Sequence, residues 1–206
     1  MPSISSYAYF HKSAPDDAPL LVLFHGTGGD EHQLVPLADK ILPDAELLSP
    51  RGDVSEHGAA RFFRRTGEGR YDMDDLARAT GKMTAFLKAH IDVLDPPAVI
   101  GVGYSNGANI LASVIFAEPD LFDAAVLMHP LVPFRPRENI KTKILVTAGQ
   151  NDPICPVEMT SSLVTNLVRV AASVEVFWHA GGHELRSEEV ASARSFLARY
   201  RMKVDA

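Results

Sequence analysis

Gly103-Tyr104-Ser105-Asn106-Gly107 decides how the chain is read, because of what flanks it. On its N-terminal side, Ala98-Val99-Ile100-Gly101-Val102 is an apolar, partly β-branched run that suits a buried parallel strand. On its C-terminal side, Ala108-Asn109-Ile110-Leu111-Ala112-Ser113-Val114-Ile115 suits a helix packed closely on a sheet. A strand that becomes a helix within a few residues needs a sharp corner. Only residues without a bulky Cβ fit at its flanks, hence Gly103 and Gly107. Ser105 at the apex is then forced outward with Oγ exposed, the arrangement of a nucleophile elbow. The bland alternative is a glycine-rich turn with an incidental serine. Gly101, Gly103 and Gly107 also spell G-x-G-x-x-x-G, one residue longer than the dinucleotide fingerprint and placed mid-chain.

Strand and helix patterns alternate outward from the corner. Upstream, Tyr7 to Lys12 reads as a weak edge strand and Leu20-Leu21-Val22-Leu23-Phe24 as a buried strand running into His25-Gly26-Thr27-Gly28-Gly29. Leu34 to Leu42 has helical spacing and ends at Pro43, and Ala45 to Ser49 is a further strand. Residues 50 to 71 read as a long loop rich in glycine and arginine, a length that marks a connection as functional or disordered. Asp72 caps a helix that carries Met73, Leu76, Ala77, Met83, Leu87, Ile91 and Leu94 on one face and stops at Pro96-Pro97. Downstream, the pattern predicts strands at Ala124–Met128, Lys143–Ala148 and Val174–Trp178, with helices over Val157–Ala171 and Glu188–Arg201. Such alternation predicts one α/β domain over 1–206, with a mainly parallel sheet of about six to seven strands and helices on both faces.

Composition narrows the function classes. The 206 residues are 46% apolar and 22% charged, with a formal net charge of −6 in scattered acidic residues, which argues against nucleic acid or anionic membrane as partner. The single cysteine, Cys155, leaves no internal disulfide and no cysteine-rich zinc site, and no His/Cys/Asp/Glu cluster has metal-ligand spacing, so no metal is expected. The N-terminus lacks a signal-peptide pattern and no apolar run spans a bilayer, so the expectation is a cytoplasmic protein without stable membrane association.

A serine hydroxyl needs a base within hydrogen-bond reach, and the base needs an orienting acid. In open α/β sheets these groups follow the strands, and for this elbow they come in the order serine, acid, histidine. Asp152, in the Gly149-Gln150-Asn151-Asp152-Pro153 turn after a strand, is the favoured acid, with a capping role as its alternative. Glu118, Asp120 and Asp123 lie at a helix end, Glu138 in a charged loop and Glu158 in a first helical turn. Only His179 and His183 follow Asp152. His179 is aimed by the pleat of its strand, whereas His183, past Gly181-Gly182, is free to lean over the sheet edge and is favoured as base. His129 precedes the acid and reads as pocket-lining or structural. Two backbone amides are needed for a developing oxyanion, each worth roughly 3–4 kcal/mol. These are Asn106, after the serine, and Thr27 in the His25–Gly29 loop, with Gly26 as runner-up.

Taken together, His25-Gly26-Thr27-Gly28-Gly29-Asp30-Glu31, Pro50-Arg51-Gly52, Ala60-Arg61-Phe62-Phe63-Arg64-Arg65, Tyr71-Asp72, the elbow, Gly149–Pro153 and Gly181-Gly182-His183-Glu184 resemble the phospholipase/carboxylesterase branch of the α/β-hydrolases. The resemblance is closest to small bacterial carboxylesterases of the hydroquinone-resistance type. It implies the α/β-hydrolase fold without a cap domain, the set Ser105, Asp152 and His183, carboxylester or thioester hydrolysis without cofactor, and a second oxyanion donor after His25-Gly26, in agreement with Thr27. The related dienelactone hydrolases carry cysteine at the elbow, where this chain has serine. Phe62 and Phe63, on a loop the resemblance places beside the site, are candidates for an acyl wall or for anchoring the loop in the core; Leu131 and Val132 are candidates for added apolar surface. Arg61, Arg64 and Arg65 either favour an anionic substrate or pair with nearby carboxylates. The expected partner is a small ester; an acyl-thioester or lysophospholipid substrate, a ligand-binding role on a hydrolase scaffold, and a homodimer stay open.

Overall fold

The computed structural model describes residues 4–67, 69–136 and 138–200. The expected helix end at Arg201 lies outside them. In chain order the elements are β1 (Tyr9–Lys12), β2 (Leu20–Phe24), α1 (Val35–Ile41), β3 (Glu46–Pro50), β4 (Val54–Glu56), β5 (Ala59–Arg61), β6 (Arg65–Gly67), β7 (Arg70–Tyr71), α2 (Met73–Leu94), β8 (Val99–Tyr104), α3 (Asn106–Ala117), β9 (Ala124–Met128), β10 (Ile140–Gly149), α4 (Val157–Val168), β11 (Ala171–His179) and α5 (Ser187–Leu197).

Seven of these strands form the central sheet, in the order β1-β3-β2-β8-β9-β10-β11. Every neighbouring pair is parallel except β1 with β3. The unbroken apolar run of β2 follows from burial on both faces. Leu20, Val22 and Phe24 point into a core made with α2, α3 and α4, while Leu21 and Leu23 point into a second core made with α1 and α5. Helices therefore cover both faces, and this is the α/β-hydrolase architecture. Asp72 caps α2 by accepting from the Asp75 amide. Among the described residues no helix is long and apolar enough to cross a membrane.

The segment 50–71 corrects the expected loop. It is built from two short antiparallel hairpins, β4/β5 and β6/β7. The hairpins sit over the carboxyl end of the sheet and are tied to it by Gly28 N–H donating to the Ala60 carbonyl (2.9 Å) and Gly52 N–H donating to His25 Nε2 (2.9 Å). Ala171, expected in a helix, instead opens β11, because the chain turns at Val170, whose N–H donates to the Leu167 carbonyl.

Candidate active site

The corner at residue 105 is as tight as its glycines imply. A Cβ on Gly107 would lie 2.0 Å from the Phe24 carbonyl oxygen, and one on Gly103 would lie 2.5 Å from that of Gly107. Ser105 adopts φ 53°, ψ −115°, a strained conformation that costs about 1–3 kcal/mol and that the flanking strand and helix enforce. Its N–H donates to the Met128 carbonyl at the end of β9 (2.9 Å).

Ser105, Asp152 and His183 come together from the ends of β8, β10 and β11. His183 Nε2 lies 2.9 Å from Ser105 Oγ, and His183 Nδ1 lies 2.7 Å from Asp152 Oδ2. Tyr104 steadies the histidine loop: its hydroxyl donates to the His183 carbonyl (2.8 Å). Asp152 is buried, and its Oδ1 accepts from the amides of Ile154 (2.8 Å) and Cys155 (2.9 Å). Burial alone would raise the Asp152 carboxyl. The Cys155 amide and the two imidazoles on it hold it below its usual range. His179 does not reach the serine. The rival acids are engaged elsewhere: Glu118 with Lys88, Asp120 with Lys141, and Asp123 with the Val99 amide.

Thr27 and Asn106 flank Ser105 in one cavity of about 330 Å³. Among the described residues their amides have no acceptor, whereas Gly26 N–H donates to Gln33 Oε1 (2.8 Å) and is committed. Both donors are braced by the hairpins. Phe62 N–H donates to Asn106 Oδ1 (2.9 Å), and Arg61 Nη1 donates to Thr27 Oγ1 (2.6 Å).

Phe62 and Phe63 do not form an acyl wall. Both are fully buried, Phe62 against Phe24 and His25 and Phe63 against Tyr71, so they anchor the hairpins into the core. Val132 is likewise a core residue and does not line the cavity, but Leu131 does. Arg61 and Arg65 line it and share Glu56, at 3.5 and 2.8 Å, whereas Arg64 turns away to Asp75. Cys155 also lines the cavity; burial pushes its thiol up. A larger groove of about 820 Å³ between α2 and α3 holds none of Ser105, Asp152 and His183.

Sequence reasoning missed what lies behind Asp152. His129, fully buried, places Nδ1 2.9 Å from the same Oδ2 that faces His183. Behind it stand Glu189, also fully buried, and His179. His129 Nε2, His179 Nε2 and a Glu189 oxygen lie close enough together to hold a metal ion, a grouping that spacing along the chain did not reveal. Gly181 N–H, however, donates to His179 Nδ1 (3.1 Å), which puts the proton of a neutral His179 on Nε2, the atom a metal would need bare. The trio fits a proton-linked network better than a metal centre.

The model of the dienelactone hydrolase family matches residues 57–194. MhqD of Bacillus subtilis is 41% identical over 192 residues, spanning 91% of this chain and 95% of its own. A carboxylesterase from Bacillus cereus superposes with a TM-score of 0.89 at 36% identity, over 94% of each chain. A protein of unknown function from Agrobacterium tumefaciens superposes with a TM-score of 0.90 at 55% identity, over 96% of this chain and 98% of that one. Serine at the elbow thus does not set the chain apart: it belongs to the dienelactone hydrolase family, as a carboxylesterase-like hydrolase on the α/β-hydrolase fold.

Proposed function

We propose that the protein is a serine carboxylesterase that works through an acyl-enzyme on Ser105. The observation that carries this reading is the contact of His183 Nε2 with Ser105 Oγ at 2.9 Å, with Asp152 on the other imidazole nitrogen at 2.7 Å. His183 takes the hydroxyl proton as Ser105 attacks the ester carbonyl. The Thr27 and Asn106 amides hold the oxyanion, and Asp152 keeps the proton of neutral His183 on Nδ1 and balances the imidazolium. His183 then protonates the leaving alcohol, and water, activated by the same base, releases the acyl group.

The cavity supports a small substrate. Its lining includes Leu131 and Ile154 beside the guanidinium groups of Arg61 and Arg65, and among the described residues no carboxylate. That surface suits a short acyl chain, and one carrying negative charge better than a neutral one. Ser105→Ala is expected to abolish turnover of p-nitrophenyl acetate and labelling by a fluorophosphonate; retained turnover would overturn the assignment of the nucleophile. If the folded parent protein takes no fluorophosphonate, the scaffold serves binding instead. Paired oxoester and thioester substrates of equal acyl length separate esterase from thioesterase.

A further inference from the structure

Asp152 and Glu189 are both fully buried through their side chains, and among the described residues neither has a lysine or arginine in ion-pair reach. Buried carboxylates remain ionised only where a cation or several donors face them. His129 touches both. Its Nδ1 lies 2.9 Å from Asp152 Oδ2 and its Nε2 lies 3.4 Å from Glu189. Its backbone is held at φ 51°, left-handed for a non-glycine residue, directly after β9, and this conformation sends the imidazole under the triad. Glu189 is itself fixed, by Thr147 Oγ1 donating to Oε2 (2.7 Å) and by the Arg186 amide donating to Oε1 (2.7 Å) at the start of α5.

We propose that His129 and Glu189 extend the Ser105–His183–Asp152 set into a five-membered relay, in which His129 is a positioning residue: an imidazolium clamped between two carboxylates that locks Asp152 Oδ2 toward His183. This rests on the esterase reading of the site. Burial works against charge on His129, but its hydrogen bonds to Glu189 and Asp152 hold its pKa above the usual value; the same bond, against burial, holds the Glu189 carboxyl below its usual range, and for Asp152 it adds to the larger effect of the Cys155 amide. The other groups facing His129 are His183, His179, the Tyr104 ring and the Cys155 thiol, which donates to the His129 carbonyl. Of these, Tyr104 (pushed up to about 12) and Cys155 (also raised) are neutral near pH 7.

The arrangement has two separable effects. The His129 N–H fixes the rotation of the Asp152 carboxylate, which keeps His183 aimed at Ser105. Its positive charge stands beside the base, with ring centroids 5.1 Å apart, and removing that charge is read in the acid limb of the pH profile. Asparagine at 129 can place Nδ2 where Nδ1 stood, retaining the donor and removing the charge. Leucine removes both.

The test uses p-nitrophenyl acetate, with active sites counted by fluorophosphonate. His129→Leu is expected to lower kcat by about ten- to a hundredfold with KM within about twofold. His129→Asn is expected to recover most of that loss while the acid limb of kcat/KM moves up by about one pH unit. An Asn variant whose acid limb coincides with the parent's, or a Leu variant with parental kcat, overturns the proposal. Should both variants fail to fold, ¹⁵N NMR of the imidazoles in the parent protein decides: both His129 nitrogens protonated at pH 7 supports the relay, and a neutral His129 beside a charged His179 overturns it. A parent protein that takes no fluorophosphonate sinks the esterase reading, while the NMR result still tests the clamp.

Discussion

Asp152→Asn is the most informative single change, because Asp152 faces donors on every side. Oδ1 accepts from the Ile154 and Cys155 amides at 2.8 and 2.9 Å, and Oδ2 is faced by the imidazoles of His183 and His129 at 2.7 and 2.9 Å. An asparagine side chain accepts at one end only, and whichever way it turns its NH₂ meets a pair of donors. Backbone amides cannot adjust, so the NH₂ turns toward the imidazoles, and each must then present a bare Nδ1. For His183 that tautomer puts the proton on Nε2, the atom that on the proposed mechanism takes a proton from Ser105 Oγ 2.9 Å away. In a serine-protease triad the same substitution lowers kcat about 10⁴-fold with the geometry intact. A like loss here is about 5.4 kcal/mol of barrier, at about 1.36 kcal/mol per decade. Stability suffers less. Charge-assisted bonds become neutral ones, a loss of about 1–2 kcal/mol, or about 2–8 °C in Tm for a chain of this length. Steady-state kinetics on p-nitrophenyl acetate near pH 7, beside a thermal scan, read both numbers. A variant that keeps kcat within about tenfold of the parent refutes the tautomer argument, and a Tm drop of about 20 °C shows that packing rather than proton placement was disturbed.

Two further predictions follow from the geometry. Phe62→Ala empties a fully buried site between Phe24 and His25 and is expected to destabilise by about 3–5 kcal/mol in denaturant melts; kcat falls with it, because the Phe62 amide positions Asn106, and a variant that loses stability but no turnover refutes that linkage. Thermal stability should plateau between about pH 4.5 and 6.5. Asp152 and Glu189, held below the usual carboxylate range, contribute above their unfolded values of about 4 and lose that contribution as pH falls through the folded ones. His129, held high, contributes fully below about 6.5 and loses that contribution as pH rises through its folded value. Scanning fluorimetry from acid to alkaline buffer checks both limbs; a Tm still climbing above pH 7 contradicts the histidine limb.

The strands of the central sheet, and the three side chains that meet at its carboxyl end, were legible in the sequence for local reasons. Leu20–Phe24 and Ala98–Val102 are too short and too apolar to be anything but buried strands between breakers, and Gly103 and Gly107 are demanded by backbone 2.5 and 2.0 Å from any added Cβ. The hairpins were not legible, because three-residue strands such as Val54–Glu56 carry no alternation long enough to read. An aromatic pair in a polar loop does not announce which way it faces, so Phe62 and Phe63 needed the packing against Phe24, His25 and Tyr71 to be placed. Glu189 was hidden for a related reason. A carboxylate in the first turn of a helix reads as a solvated cap, and only the approach of α5 to Thr147 on β10 shows that it is buried.

The hairpins at 54–71 bear on how such an enzyme can change. Arg61 and Arg65 line the cavity, and the backbone and side chains of the same few residues brace Thr27 and Asn106. On the proposed reading, selectivity and rate therefore share one short segment. A mutation there that widens the range of accepted molecules also loosens the groups that accelerate the reaction. On the proposed reading, new specificity arises more readily at Leu131 and Ile154, apolar side chains that line the same cavity.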